Sequence, residues 1–477
     1  MHSWQSFTIR LLKKHFPAII ILILTAGLLG CFAYYNEFSE GGADNIWHYY
    51  FSRYAPMYPE FFLHHWGKPF FILLSTAFAQ FGFYGLQIFN ILVGLSTAIV
   101  TYKFCGDLDI KFRWYSVVLL LFTPLYFIII QSGMTEPLMS LVLVSSFYLL
   151  FKEKFLAGAI LMSFSIYTRT EGSFLTMYVL FYLLLIGKWR YIPFLGVGFL
   201  AYSLIGKFTG HDFLWFFTEN PYKMESPYGH GTWLDIVSKY KFIWGAPQTI
   251  LVASSLVLLL FNCFSSINSI DRKKLSVEFK ILFLVAGPAL LFFLFHIVAW
   301  RFGKFGSMGL ERVMASVSPF SVILCCYGIN KIITMRVNSK IALPLIGVIL
   351  FFCIRSTFGI YSFPLKANYD AKVELEAAKW FKKNYSQDCI VYYAHPGIIF
   401  YTDRNPFDKK LNIEQFDLNV DNITDKSLPT YIFWDSQFSE SSCRLKLNDL
   451  LNSPKVKLIH PLFEDSGFKM YVFELVR

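Results

Sequence analysis

The run Phe16-Pro17-Ala18-Ile19-Ile20-Ile21-Leu22-Ile23-Leu24-Thr25-Ala26-Gly27-Leu28-Leu29-Gly30-Cys31-Phe32-Ala33-Tyr34-Tyr35 decides the fold class. It carries no charge and is as long as the roughly 20 residues that a helix needs to cross a hydrocarbon core. Lys13 and Lys14 precede it and no clear cleavage site follows, so it reads as a retained signal anchor. Runs of the same kind recur to about residue 359. Roughly eleven spans are predicted, near 17–36, 85–103, 114–131, 135–151, 155–168, 173–187, 191–206, 246–263, 278–299, 311–330 and 341–359. Residues 69–82 are apolar as well, but Pro69, Gln80 and Gly82 suggest a helix at the interface.

Composition agrees. Of 477 residues 55% are hydrophobic, 19% aromatic and only 16% charged, against about 25% charged in soluble domains. The net charge of +11 falls in short clusters between apolar runs, such as Arg272-Lys273-Lys274. That pattern sets membrane topology and argues against nucleic-acid binding. With the N-terminus inside, the inner loops hold the larger share of Lys and Arg in the smaller length, which places the C-terminus outside. Three outer features result: a loop over 37–68, a loop over 207–245, and a region from 365 to 477. The last changes character. Helical spacing over 370–385 and 445–451 alternates with strand-like Ile390–Tyr393, Tyr431–Trp434 and Met470–Phe473, which predicts a small α/β domain. Residues 1–364 then form the membrane domain and 365–477 the extracytoplasmic one. Six cysteines lie in or beside apolar runs, without metal-ligand spacing. Cys389 and Cys443 lie in the polar C-terminal region, where a disulfide is compatible with export.

The polar residues on the outer side carry the functional reading. Asp44 follows Gly41 and Gly42 soon after the first span; a carboxylate at a membrane surface suits a general base, and a solvated loop aspartate is the plain alternative. His64-His65-Trp66-Gly67-Lys68-Pro69 offers a close backbone approach at Gly67 and, at Lys68, a point charge suited to phosphate; a snorkelling lysine is the plain alternative. In Thr135-Glu136-Pro137, Glu136 opens a helix at its positive end. Tyr167-Thr168-Arg169-Thr170-Glu171-Gly172 joins two spans, with Arg169 able to pair an anionic donor or Glu171. Asn220-Pro221-Tyr222 and Tyr228-Gly229-His230-Gly231 mark the large loop as a mobile, aromatic-bearing lid. Arg301, Lys304, Glu311 and Arg312 flank the outer ends of two spans, where they hold a lipid phosphate or anchor the helices.

These segments resemble the GT-C superfamily of membrane glycosyltransferases, which includes protein O-mannosyltransferases and lipid A aminoarabinose transferases. The resemblance rests on Gly42-Ala43-Asp44 with His48 following, on His64 to Pro69, on Thr135-Glu136-Pro137-Leu138, and on Thr168-Arg169-Thr170-Glu171-Gly172. Asn45 stands where many relatives have a second acidic residue. The resemblance implies a polytopic α-helical protein with a small C-terminal α/β domain, in a bacterial inner membrane. It implies transfer of a sugar, with inversion, from a polyprenyl-phosphate donor to an acceptor hydroxyl on a lipid, glycan or protein. Asp44 would act as base and Glu136 would orient the acceptor or sugar. Lys68, His48, His64, Arg169, Glu171, His230 and Arg301 would bind substrate or lipid phosphate. No cofactor is needed, with a divalent ion between Asp44 and Glu136 as a variant. A transporter or lipid flippase of the same envelope pathway is the alternative reading.

Overall fold

A computed structural model describes residues 2–476, apart from 38, 223, 227, 269–271, 417, 421, 422 and 424–426; the side chains of 1–14, 266–276 and 461 also lie outside the description, among them the basic pairs near Lys13 and Lys273. The chain divides into two units. One comprises 1–35 and 51–363, the other 36–50 and 364–477.

The first unit is a helical bundle. Seven of its described helices are long and apolar enough to cross a membrane: His15–Tyr35, Gly82–Asp107, Trp189–Phe208, Ala246–Ser265, Val277–Arg301, Glu311–Thr334 and Ser339–Ile360. Four shorter apolar helices, Pro69–Ala79, Glu136–Phe151, Phe155–Thr168 and Gly172–Leu185, pack among them. The span predicted over 114–131 is broken into Tyr115–Leu121 and Pro124–Ile129. The cause is local. Pro124 has no N–H to continue the first helix, so it starts the second. Thr123 between them is extended, and its hydroxyl donates back to the Leu119 carbonyl (2.7 Å).

Pattern separates the centre of the bundle from its rim. Glu311–Thr334 is apolar on nearly every side and is buried throughout its most apolar stretch. Phe127, Phe147, Phe292 and Phe320 pack fully buried in the same core. Helix His15–Tyr35, by contrast, leaves Ile23 and Leu24 more than 60% exposed, as a lipid-facing helix must.

The second unit is a five-stranded sheet with helices. Its strands are β1 (Ile390–Tyr393), β2 (Asn412–Glu414), β3 (Thr430–Asp435), β4 (Val456–Asp465) and β5 (Phe468–Leu475), in the order β2-β1-β3-β5-β4. β1 runs parallel to β2 and β3, and β5 antiparallel to β3 and β4. All six residues of β3 are buried, and its centre, Tyr431 to Trp434, is an unbroken run of apolar and aromatic residues. Helix Tyr369–Asn384 is capped by the Asn368 side chain, which accepts from the Ala371 amide (3.3 Å). Cys389 is a free thiol under the Arg404 guanidinium (3.5 Å), so the disulfide considered with Cys443 does not form.

Segment 36–50 joins this unit through specific contacts. The Asn36 side chain accepts from the Leu365 amide (2.7 Å), and Glu37 pairs with Lys366 (2.7 Å). Trp47 packs against Phe407 and Tyr49 against Phe400, with ring centroids about 6 Å apart.

Candidate active site at one end of the helical bundle

Lys68 stands on the last residue before helix Pro69–Ala79, with φ 66° and ψ 101°. That is a costly backbone for a side-chain-bearing residue, and it persists only where neighbours enforce it. The enforcement is visible. Gly67 lies so close to its neighbours that a Cβ there would meet Ile72 at 2.7 Å and Phe51 at 3.2 Å. The Gly67 amide donates to His64 Nδ1 (3.0 Å), and the His64 ring stacks on Phe51 at 4.0 Å. Burial pushes the His64 pKa down to about 4, so the ring is neutral and can accept that bond. His64 therefore shapes the turn that carries Lys68. Neighbouring His65 packs instead on Trp215 and Phe216.

The Lys68 ammonium is buried and donates to the phenol oxygen of Tyr222 (2.6 Å), with the Tyr222 ring centroid 4.5 Å away. Burial pushes its pKa down to about 7, against the pull of Glu171 and Glu136.

Glu136 sits at the first position of helix Glu136–Phe151 and is completely buried. Arg169 reaches it from the turn between Ser165–Thr168 and Gly172–Leu185, with Nη1 2.8 Å from Glu136 Oε1 and 3.0 Å from the Thr135 hydroxyl. The other side of the same guanidinium holds Glu171, at 2.8 Å from Nη2 and 3.3 Å from Nε. Gly172 permits the tight turn; a Cβ there would lie 2.4 Å from the Ser165 backbone. Burial raises the Glu171 carboxyl, but the Arg169 guanidinium pulls it further the other way, to about 2. His296 Nε2 lies 3.8 Å from Glu171, and Arg312 Nε lies 3.8 Å from Glu136.

The bundle thus brings Lys68, Glu136, Arg169 and Glu171 into one electrostatic cluster with His296 and Arg312, as side chains from five separate segments converge. Arg169 and Arg312 face Glu136, Arg169 also faces Glu171, and Lys68 adds to the basic side of the cluster. Arg169 is spent on two carboxylates. Lys68 has only a neutral oxygen as hydrogen-bond acceptor among the described residues. A buried ammonium so placed is a ready partner for an anion.

Asp44 and His48 belong to the other unit. Asp44 is half-buried in the first turn of helix Ala43–Tyr54, and its amide donates to the Gly41 carbonyl (3.1 Å). His48, one turn on, is buried. The amide of the Asn45 side chain donates to Ser39 Oγ (2.7 Å) and to the Glu40 carbonyl (2.9 Å), fixing the turn before that helix. In the bundle, His230 is exposed on the loop and Arg301 ends helix Gly287–Arg301; neither pairs with the cluster among the described residues. His296 joins the cluster from within a helix rather than from a loop. Its signal was available: a lone ionisable residue inside the apolar run Phe292–Trp300 is by default a functional candidate. Among the described residues no three His, Cys, Asp or Glu side chains converge as a metal cage.

No family model and no curated relative matches the sequence. The fold, however, has counterparts. ArnT from Cupriavidus metallidurans, solved bound to undecaprenyl phosphate, is similar at a TM-score of 0.64 and 10% identity, with 96% of this chain and 98% of that one covered. The apo state of the same enzyme gives 0.63 over the same coverage. An oligosaccharyltransferase from Archaeoglobus fulgidus, tethered to an acceptor peptide, gives 0.50 and 12% identity over 82% of this chain and 64% of its own. ArnT is a lipid A aminoarabinose transferase, and both proteins are GT-C members. The chain has the GT-C fold, with membrane helices followed by a small C-terminal sheet unit.

Proposed function

We propose that the chain is a membrane glycosyltransferase that moves a sugar from a polyprenyl-phosphate donor to an acceptor hydroxyl on the extracytoplasmic face, inverting the anomeric centre. The observation that carries this reading is the buried Lys68 ammonium, held by a strained turn beside Arg169, Glu136 and Glu171 without a carboxylate bonded to it. In the reaction, Asp44 takes the proton of the acceptor hydroxyl while that oxygen attacks the sugar C1. The C1–O bond to phosphate breaks, and the leaving phosphate gathers negative charge. Lys68 meets that charge where it grows, in a site that water reaches poorly. Arg169 and Arg312 hold Glu136 in place, so that it orients a sugar or acceptor hydroxyl without itself becoming an uncompensated charge. A fold shared with an enzyme solved on undecaprenyl phosphate supports the class of donor.

The test is direct. Purified protein receives undecaprenyl-phosphate sugars with radiolabel in the sugar, together with crude envelope acceptor, and loss of labelled lipid is followed. Lys68→Gln is expected to slow transfer on the order of 100-fold. Asp44→Asn is expected to abolish it with yield and thermal midpoint unchanged. Wild-type turnover by both variants would end the proposal. A flippase would instead move the intact labelled lipid between leaflets and leave the sugar attached.

A further inference from the structure

The acceptor of the Lys68 ammonium is borrowed from a loop. Tyr222 lies on the 37 residues between Phe208 and Ala246 and is not part of a helix or strand. Its own turn is set by the Asn220 side chain, which accepts from the Tyr222 amide (2.9 Å). Just beyond it, the loop is fastened to the segment after Arg301. The Phe305 amide donates to the Met224 carbonyl (2.7 Å), the Ser226 amide to the Gly303 carbonyl (2.8 Å), and Lys304 pairs with Glu225 (3.0 Å). That partner segment is itself a run of left-handed residues, with Gly303, Phe305, Gly306 and Gly309 all near φ +60°. The Ser226 hydroxyl also donates to the Ser307 carbonyl (2.6 Å), so the fastening near Tyr222 is a set of hydrogen bonds and one exposed ion pair, each individually weak and exchangeable. At the other end, Lys68 Nζ is buried and committed to a neutral hydroxyl, although an ammonium in such a place gains more from an anion.

Resting on the donor-binding role given to Lys68 above, we infer that the Tyr222 hydroxyl and a phosphate monoester or diester compete for the same Lys68 ammonium, so that phosphate takes Lys68 by displacing the Tyr222 hydroxyl. Tyr222 then acts as a positioning residue. It keeps the buried ammonium solvated and aimed while the site waits, and it excludes anions that bind too weakly to compete. Free inorganic phosphate and a lipid phosphate offer the same oxygens to Lys68. Only the lipid is delivered from the bilayer at high local concentration, so the exchange favours the lipid.

The experiment measures binding of undecaprenyl phosphate and, separately, of inorganic phosphate to the full chain in nanodiscs. It compares wild type, Tyr222→Phe, Lys68→Gln and the double variant. Phe keeps the ring over the ammonium and removes only the competing hydroxyl. Tyr222→Phe is expected to bind undecaprenyl phosphate about fivefold more tightly and to gain measurable affinity for inorganic phosphate. Both gains should vanish in the Lys68→Gln background. A purely structural role for Tyr222 would weaken binding or leave it alone, and either result overturns the inference. If wild type binds lipid phosphate and Lys68→Gln does not, while Tyr222→Phe is unchanged, only the exchange fails. If Lys68→Gln binds as well as wild type, the donor-binding role of Lys68 fails with it.

Discussion

Lys68 is where charge, burial and backbone strain meet, and its protonation sets a pH window. Its ordinary pKa lies near 10.5, and burial lowers it to about 7 in the folded protein. Between those values the unfolded chain holds a proton that the folded chain has lost. Stability gained from this group therefore rises as pH climbs through that window, and the charged, buried form is the costly one below it. Anion binding has the opposite sign, because a phosphate needs the ammonium. Affinity for undecaprenyl phosphate is expected to fall as pH rises from about 6 to about 9, by up to tenfold per unit above the pKa, when measured by titration at constant ionic strength. The same titration on Lys68→Gln should be flat over that range. A wild-type curve that is equally flat would show that Lys68 does not carry the anion. His64, two residues before the glycine, was read from sequence as a binding residue; the structure shows it accepting from Gly67 and stacking on Phe51. Sequence could not separate the two roles, since adjacent histidines in a loop have no fixed direction until the turn closes.

At the scale of elements, glycine decides how closely the site-bearing turns can pack. Gly67 and Gly172 both lie against atoms that leave no room for a methyl group. At Gly67 the obstacle is a flexible Ile72 methyl and the Phe51 ring, so Gly67→Ala is expected to fold but to push the Lys68 turn aside. A displacement near 1 Å at a reacting group costs on the order of 100-fold in rate. Transfer assays should therefore show that loss with only a small drop in thermal midpoint. At Gly172 the obstacle is backbone of Ser165 and Ile166, which cannot yield. Gly172→Ala is expected to lower the thermal midpoint by several degrees and cut the yield, read by fluorescence-detected size exclusion after heating. The broken helix at Thr123-Pro124 belongs to the same scale. Hydropathy over 114–131 predicts one span because it sums side chains, whereas the break is set by one missing backbone N–H.

For the whole molecule, the charge distribution predicts the side on which the polar ends and the C-terminal unit reside. Ser466 is exposed at the β4–β5 turn. Ser466→Cys in spheroplasts is expected to react with a membrane-impermeant maleimide added outside, before lysis. Labelling only after lysis would invert the topology and move the proposed chemistry to the cytoplasmic face. Segment 36–50, which holds Asp44 and His48, groups with 364–477 although some 314 residues separate Tyr50 from Pro364 in the chain. Nothing in the local sequence of the first outer loop announces that association. It depends on Asn36, Glu37 and Trp47 finding Leu365, Lys366 and Phe407, which are long-range partners.

By itself the sequence determined the polytopic class, because long uncharged runs have few places to go other than lipid, and the α/β character of the C-terminal region, because period and length distinguish strand from helix there. It also named Lys68, Glu136, Arg169 and Glu171 as residues whose chemistry needed explaining. Only the tertiary structure decided that these four form one cluster with His296 and Arg312, and that Tyr222 caps Lys68. The physical reason is that pairing of charges is set by distance across helices, and distance is not written in spacing along the chain. Burial gives Lys68 its lowered pKa, and burial exists only once the helices have packed.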